Sequence, residues 1–318
     1  MKINDSFTPK EMRKCFTETL DKIMKTNSDV IVCDSDLANS SGEASLFKSY
    51  PDRAVNFGIS ESNMAAAACG LSLTGLKPII HSFAPFVTRR IVDQVYVSLG
   101  FSKVNCLIYG SDPGYWSKYN GPTHTTFEDF AIMSSIPNMN VVAPSDEEEF
   151  KWILEYYAKN GGLYYVRVPR QEVPKIFKED TEFTYGKSNI VKEGKDVAII
   201  TCGPELYDAI NADKKLRQLG IDATIIDLFF IKPLDKELIR KIAETHSLIV
   251  TVENHNKIGG INQQIASILV EEKNVNSTVL KAIAVEDRYC EVGELDYLKK
   301  VLNISENNII NTIIECYF

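Results

Sequence analysis

Apolar, β-branched runs alternate with amphipathic helical stretches along the whole chain. In the first half Val30–Cys33, Ala54–Phe57, Pro78–Ser82, Asn105–Tyr109, Asn140–Val142 and Leu163–Val168 read as strands. Short runs of this kind, with little polar alternation, predict parallel strands covered by helices on both faces. Between them Thr8–Lys25 reads as a helix, because Met12, Phe16, Leu20 and Ile23 recur near a 3.6 period. Thr8 is placed as its N-cap and Pro9 as its first helical residue. The second half repeats the pattern, with strands Val197–Cys202, Ala223–Asp227, Leu248–Val252 and Val279–Ile283 and helices near Pro204–Leu219, Asp235–Thr245 and Gly260–Glu271. Gln171–Lys195 is charged and non-periodic, which predicts a linker. The expected fold is α/β with two doubly wound domains, residues 1–172 and 196–318, joined by a linker at 173–195.

Composition narrows the class. At 318 residues the chain suits two domains of roughly 150 residues each. A hydrophobic fraction of 44% and a charged fraction of 25% are ordinary for globular proteins. The net charge of −8 argues against broad binding to nucleic acid or anionic membrane. No apolar run approaches the roughly 18 residues that span a bilayer, and the opening MKINDSFTPKEMRK has no signal-peptide core. A cytoplasmic protein is expected. Seven cysteines without a C-x-x-C pair read as scattered buried thiols, and a total of four histidines argues against a multi-histidine metal site.

Ligands of open parallel sheets bind beyond the carboxyl ends of the strands, so the residues that follow each strand are the candidates. They include Asp36 and Ser40 in DSDLANSS, Glu61 in FGISESNMAAAACG, Phe83 and Phe86 in HSFAPF, Asn120 and His124 in GSDPGYWSKYNGPTH, and Arg167 and Arg170 in VRVPRQ. Each alone has an ordinary structural role. Glu61 suits the helix dipole, the phenylalanines suit a core, His124 suits a loop, and the arginines suit solvated ion pairs. Carboxylates, aromatics, a histidine and arginines on one sheet edge together point to a ligand site.

In this order FGISESNMAAAACGLSLTG, HSFAPFVTRRIVDQV, GPTH with Glu128-Asp129, IPNMNVVAPSD and VENHNKIGG resemble the transketolases, and specifically their C-terminal half, over nearly the whole chain. The resemblance implies a pyrimidine-binding domain followed by the family's C-terminal domain, acting with thiamine diphosphate. In that family a carboxyl hydrogen-bonds the pyrimidine N1′ and stabilises the 4′-imino form that deprotonates the thiazolium. Glu61 matches that residue, and an apolar setting would raise its pKa to suit the task. By the same resemblance Phe83 and Phe86 pack against the pyrimidine, with Arg89 at the place of a third aromatic, and Asp36 lies beside the thiamine. Arg13, Ser40 and Arg170 match residues that grip a terminal phosphate. His124 matches a histidine that contacts the ketose hydroxyls.

Departures from the family pattern qualify the substrate and the assembly. Asp112 stands where many members have a histidine, and would repel a phosphate. Asn120 stands where they have an aspartate that reads acceptor hydroxyls. The G-D-G motif that holds magnesium and the diphosphate is absent from this sequence. The reading is therefore one subunit of a split transketolase, which moves a two-carbon ketol group from a ketose to an aldose. A partner subunit would supply G-D-G and the magnesium ligands, and a two-plus-two assembly is expected. A deoxyxylulose-phosphate synthase-like enzyme, a 2-oxo-acid dehydrogenase β-type subunit and a non-catalytic remnant of the fold are the alternatives. His255 and Gly259-Gly260 read as shaping a loop before a helix.

Overall fold

The computed structural model describes residues 1–4, 6–271 and 278–317. Near the N-terminus, β1 (Pro9–Glu11) leads into helix α1 (Met12–Thr26). The predicted periodic positions Met12, Phe16, Leu20 and Ile23 are all buried. The start of this helix differs from expectation. Pro9 lies in a short strand, opposite Pro174 of β8 (Glu172–Pro174), and Thr8 caps nothing. The amides of Met12 and Arg13 instead donate to the carbonyls of Gln171 and Arg170, at 3.0 and 3.1 Å. A crossing segment supplies the acceptors that a local cap would otherwise provide.

Six parallel strands form the first sheet, as predicted: β2 (Val30–Asp34), β3 (Ala54–Asn56), β4 (Lys77–Phe83), β5 (Cys106–Ser111), β6 (Met139–Val142) and β7 (Leu163–Val168). Their order is β6-β7-β5-β4-β2-β3. Side chains alternate between two cores. Val30, Val32, Ile79, Leu107 and Tyr109 pack with α1, whereas Ile31, Cys33, Ile80, Cys106 and Ile108 pack with Met64, Ala65 and Ala68. Those last three belong to helix α2 (Glu61–Leu73), in which Ala66 is exposed, so only part of the alanine run is buried.

The parallel strands of the second sheet are β10 (Val197–Thr201), β11 (Ala223–Asp227), β13 (Leu248–Asn256) and β14 (Val279–Val285). The span expected to be linker contains β9 (Asn189–Lys192), which pairs antiparallel with β11 and gives the order β14-β13-β10-β11-β9. Four residues with two buried side chains leave too short a pattern to read without the partner strand. The two sheets are also stitched together, because β12 (Phe230–Lys232) from the second half adds antiparallel to β6 of the first.

VENHNKIGG works at this junction. The Glu253 carboxylate accepts the amides of Ile261 and Asn262 at 2.7 and 3.1 Å and so caps helix α3 (Ile261–Glu271). Asn254 holds the loop after β5 by accepting from Tyr115 N at 3.1 Å and donating to Pro113 O at 3.2 Å. His255 is fully buried and stacks on Phe130 at 5.0 Å. The residues of this stretch make structural contacts, with His255 inside β13 rather than in the loop expected of it. They fix the loop that carries Asp112 and leads to His124.

Candidate active site

Glu61 opens α2 and is only 5% exposed. Its Oε1 accepts from Arg90 Nη1 at 2.8 Å, and the Arg90 guanidinium lies 3.6 Å from the centre of the Phe86 ring. Phe86, Phe83 and His124 form a triangle of rings, with centroid separations of 5.9, 5.7 and 5.1 Å and all three contacts edge-on. The Arg170 guanidinium lies 4.6 Å from the centre of the Phe83 ring. Its Nε donates to Asp112 Oδ2 at 2.7 Å and its backbone amide to Asp112 Oδ1 at 2.7 Å. Glu61, Arg90, Phe86, His124, Phe83, Arg170 and Asp112 are thus one connected set.

The charge state of His124 follows from its surroundings. Partial burial, then the Arg90 cation, pull its pKa below the usual histidine value, so the ring is neutral near pH 7. Thr123 Oγ1 lies 2.8 Å from Nδ1, which leaves Nε2 for a ligand.

Behind the rings lies a second buried network. His81 Nδ1 sits 2.9 Å from Asp34 Oδ2 and 3.3 Å from Glu43 Oε2, and Nε2 is 3.0 Å from Ser111 Oγ. Burial alone would lower the His81 pKa, but Glu43 and Asp34 opposite raise it to about 9. Burial also raises the pKa of Glu43. A charged imidazole therefore ties together the carboxyl ends of β2, β4 and β5. Asp36, Phe83 and Asp112 follow those tied residues by two, two and one positions.

Several expectations need correction. Among the described residues Arg89 makes no contact with the rings. Its guanidinium donates to Thr125 O at 2.8 Å and Glu128 Oε1 at 2.6 Å and so fastens the GPTH loop, because that loop offers a cluster of carbonyls and a carboxylate. The arginine on the ring platform is Arg90, which sequence reasoning missed; its spacing of four residues from Phe86 was the available signal. Glu61 therefore has a cationic partner, and its setting is not purely apolar. Asp112 is not a free repelling charge, since Arg170 neutralises it. Arg167 belongs to no ligand edge. It is 3% exposed and bonded to Asp129 Oδ2 at 2.6 Å.

Of the remaining candidates, Arg13 meets the cluster through its backbone. Arg13 is half-buried and paired with Glu11 at 2.6 Å, and its amide bonds the carbonyl of Arg170. The short helix Ala38–Ser41, with Ser40 half-buried on it, ends against Arg13, since a methyl at Gly42 would sit 3.5 Å from the Arg13 carbonyl. Asp36 is exposed, with a left-handed φ of 63° and its amide on Asn56 Oδ1 at 3.1 Å. Asn120 is exposed at the end of the loop.

Residues 8–175 match the family described as transketolase, pyrimidine binding domain, and residues 186–309 match transketolase, C-terminal domain. The 6-deoxy-6-sulfo-D-fructose transketolase subunit SqwH of Clostridium sp. (strain MSTE9) is 33% identical over 94% of this chain and 92% of its own length. One of the subunits of the apulose-4-phosphate transketolase of Phocaeicola vulgatus is 32% identical over 95% of this chain and 96% of its own. Among solved structures, a split gene transketolase described as an inactive beta4 tetramer superposes with a TM-score of 0.86 and 30% identity, covering 96% of this chain and 97% of that one.

Proposed function

The chain belongs to the transketolase family as the C-terminal subunit of a split, two-chain enzyme, and from that premise we propose how its residues serve the transfer of a two-carbon ketol group from a ketose to an aldose. The observation that carries the reading is the convergence of Glu61, Phe83, Phe86 and His124 on one patch. A scaffold has no use for a nearly buried carboxylate linked to three half-buried rings.

Thiamine diphosphate, when bound, supplies the carbon centre that takes up and releases the two-carbon unit. The residues present fit its ring, because a flat nitrogenous cation already stacks on Phe86 and bonds Glu61 in the form of Arg90. Glu61 would hold a hydrogen bond at the pyrimidine N1′, and Phe83 and Phe86 would flank the ring. Asp36 would lie beside the thiamine. His124, neutral and with Nε2 free, would donate to or accept from the ketose hydroxyls and keep them oriented. Arg13, Ser40 and Arg170 would take the anionic end group, with Asp112 holding Arg170. Asn120 would meet the acceptor hydroxyls. Arg89 would act indirectly, by holding the loop that carries His124. The diphosphate and its magnesium would be held by the partner subunit's G-D-G motif, in a two-plus-two assembly.

Titration of thiamine diphosphate with magnesium into this chain, into the partner and into their mixture tests the reading. Binding is expected only in the mixture, read by calorimetry. Tight binding by this chain alone would sink the divided site.

A further inference from the structure

Arg89 and Arg90 are neighbours with opposite fates. Arg89 is fastened by the carbonyl of Thr125 and by Glu128, with Pro122 O at 3.3 Å as a further acceptor. The Arg90 side chain is 44% exposed, and among the described residues its guanidinium has one hydrogen-bond partner, Glu61, and one stacking partner, Phe86. Arg90 can therefore turn into solvent by breaking two contacts.

Those two contacts are chemically specific. The guanidinium is planar, rich in nitrogen and cationic, it lies 3.6 Å from the Phe86 centroid, and it donates to Glu61 Oε1 at 2.8 Å. A protonated aminopyrimidine is likewise planar and cationic, and it too can lie over an aromatic face and donate one N–H to a carboxylate oxygen. A ring that stacks on this face of Phe86 and bonds this oxygen must displace the guanidinium. Resting on the transketolase reading above, we infer that Arg90 is an internal stand-in for the cofactor ring, which closes the ring site in the free chain and swings outward when the ring enters.

The physical reason for a stand-in is the carboxylate. A nearly buried Glu61 without a partner would be costly until the ring arrives, and the arginine supplies a partner meanwhile. The consequence is competition. A site available only in its open fraction binds with an affinity reduced by that fraction. One half-exposed ion pair and one cation stacked on a ring together correspond to a reduction of about fivefold to thirtyfold.

The test uses the complex reconstituted with the partner subunit. Thiamine diphosphate and magnesium are titrated by calorimetry into wild type, Arg90→Ala and Arg90→Lys. Arg90→Ala is expected to bind about fivefold to thirtyfold more tightly than wild type, with Arg90→Lys between, because lysine keeps the charge but loses the flat stack. In the free chain, Arg90→Ala should also raise the His124 pKa toward its usual value, read by NMR titration, since one of the two causes of its depression is removed. Equal or weaker cofactor binding by Arg90→Ala overturns the inference and makes Arg90 a bystander or a direct ligand contact. If Arg90→Ala does not fold, Arg90→Lys decides by the same comparison. Failure of the wild-type complex to bind the cofactor removes the transketolase reading itself, and the stand-in with it.

Discussion

Asp129→Asn isolates the contact that joins the two halves beneath the GPTH loop. Asp129 is fully buried, and its Oδ2 accepts from Arg167 Nε at 2.6 Å and from Tyr165 OH at 2.7 Å. Arg167 also donates to the backbone carbonyl of Asn254 in the second half and lies 4.6 Å from the centre of the Phe130 ring. Burial works against the guanidinium charge, and Asp129 opposite more than restores it, so the Arg167 pKa is raised. The asparagine keeps the shape and one acceptor but removes the compensating charge, and its amide would occupy the place of Oδ1, which has no hydrogen-bond partner among the described residues. Breaking a buried pair on one side costs about 3–5 kcal/mol. Against a usual net stability of about 5–15 kcal/mol that is a large fraction. Urea unfolding should show the loss as a lower midpoint at unchanged slope, and the melting temperature should fall by roughly 4–8 °C. The double variant Asp129→Leu with Arg167→Met should recover at least half of the loss, since an apolar pair has no charge to leave unpaired. A loss below about 1 kcal/mol for Asp129→Asn, or no recovery in the double variant, would refute this account of the junction.

Two further outcomes are expected. His81 has a folded pKa of about 9, above the ordinary value of 6.5, so its contribution is fully present below pH 6.5 and is lost as pH rises through 9. Facing Asp34 and Glu43, with the buried Tyr109 ring 4.9 Å away, it should contribute roughly 3 kcal/mol over that window. His81→Asn should flatten the decline of the urea midpoint between pH 6.5 and 9, and equal slopes in both proteins would contradict the clamp. Gly114 has a φ of 58° and a methyl there would lie 2.0 Å from Asn254 Oδ1, so Gly114→Ala should cost about 2–4 kcal/mol by thermal unfolding. A change below about 1 kcal/mol would show that the β5 loop is not held by Asn254.

What could be read from the sequence follows physical lines. Strands buried on both faces, such as Val30–Asp34 and Leu163–Val168, print continuous apolar runs and were legible. Pro9–Glu11, Asn189–Lys192 and Phe230–Lys232 are three or four residues long and exist because a distant strand pairs with them, so no local pattern announced them. The catalytic candidates behaved likewise. Glu61, Phe83, Phe86 and His124 were legible as strand-end residues that meet. The pairing of Arg170 with Asp112 joins loops 58 residues apart, and the choice between Arg89 and Arg90 turns on which neighbour faces the rings. Neither is a sequence property.

The missed pairings share a consequence. Glu61 is matched by Arg90, Asp112 by Arg170, Glu11 by Arg13 and Glu128 by Arg89. Each charged group that the reaction would employ through these pairs already has an opposite partner within the same chain. A subunit that carries half of a divided site must fold before the other half arrives, and unpaired charges at low exposure would oppose that. The cost of this arrangement falls at assembly, where ligand contacts replace internal ones and affinity reflects a difference between two sets of similar bonds. Such a site gains little from charge alone and much from geometry. Under the proposed function the rings of Phe83, Phe86 and His124, which follow the His81 clamp on one side and the Arg89 fastening on the other, would be the part of this chain that distinguishes one ligand from another.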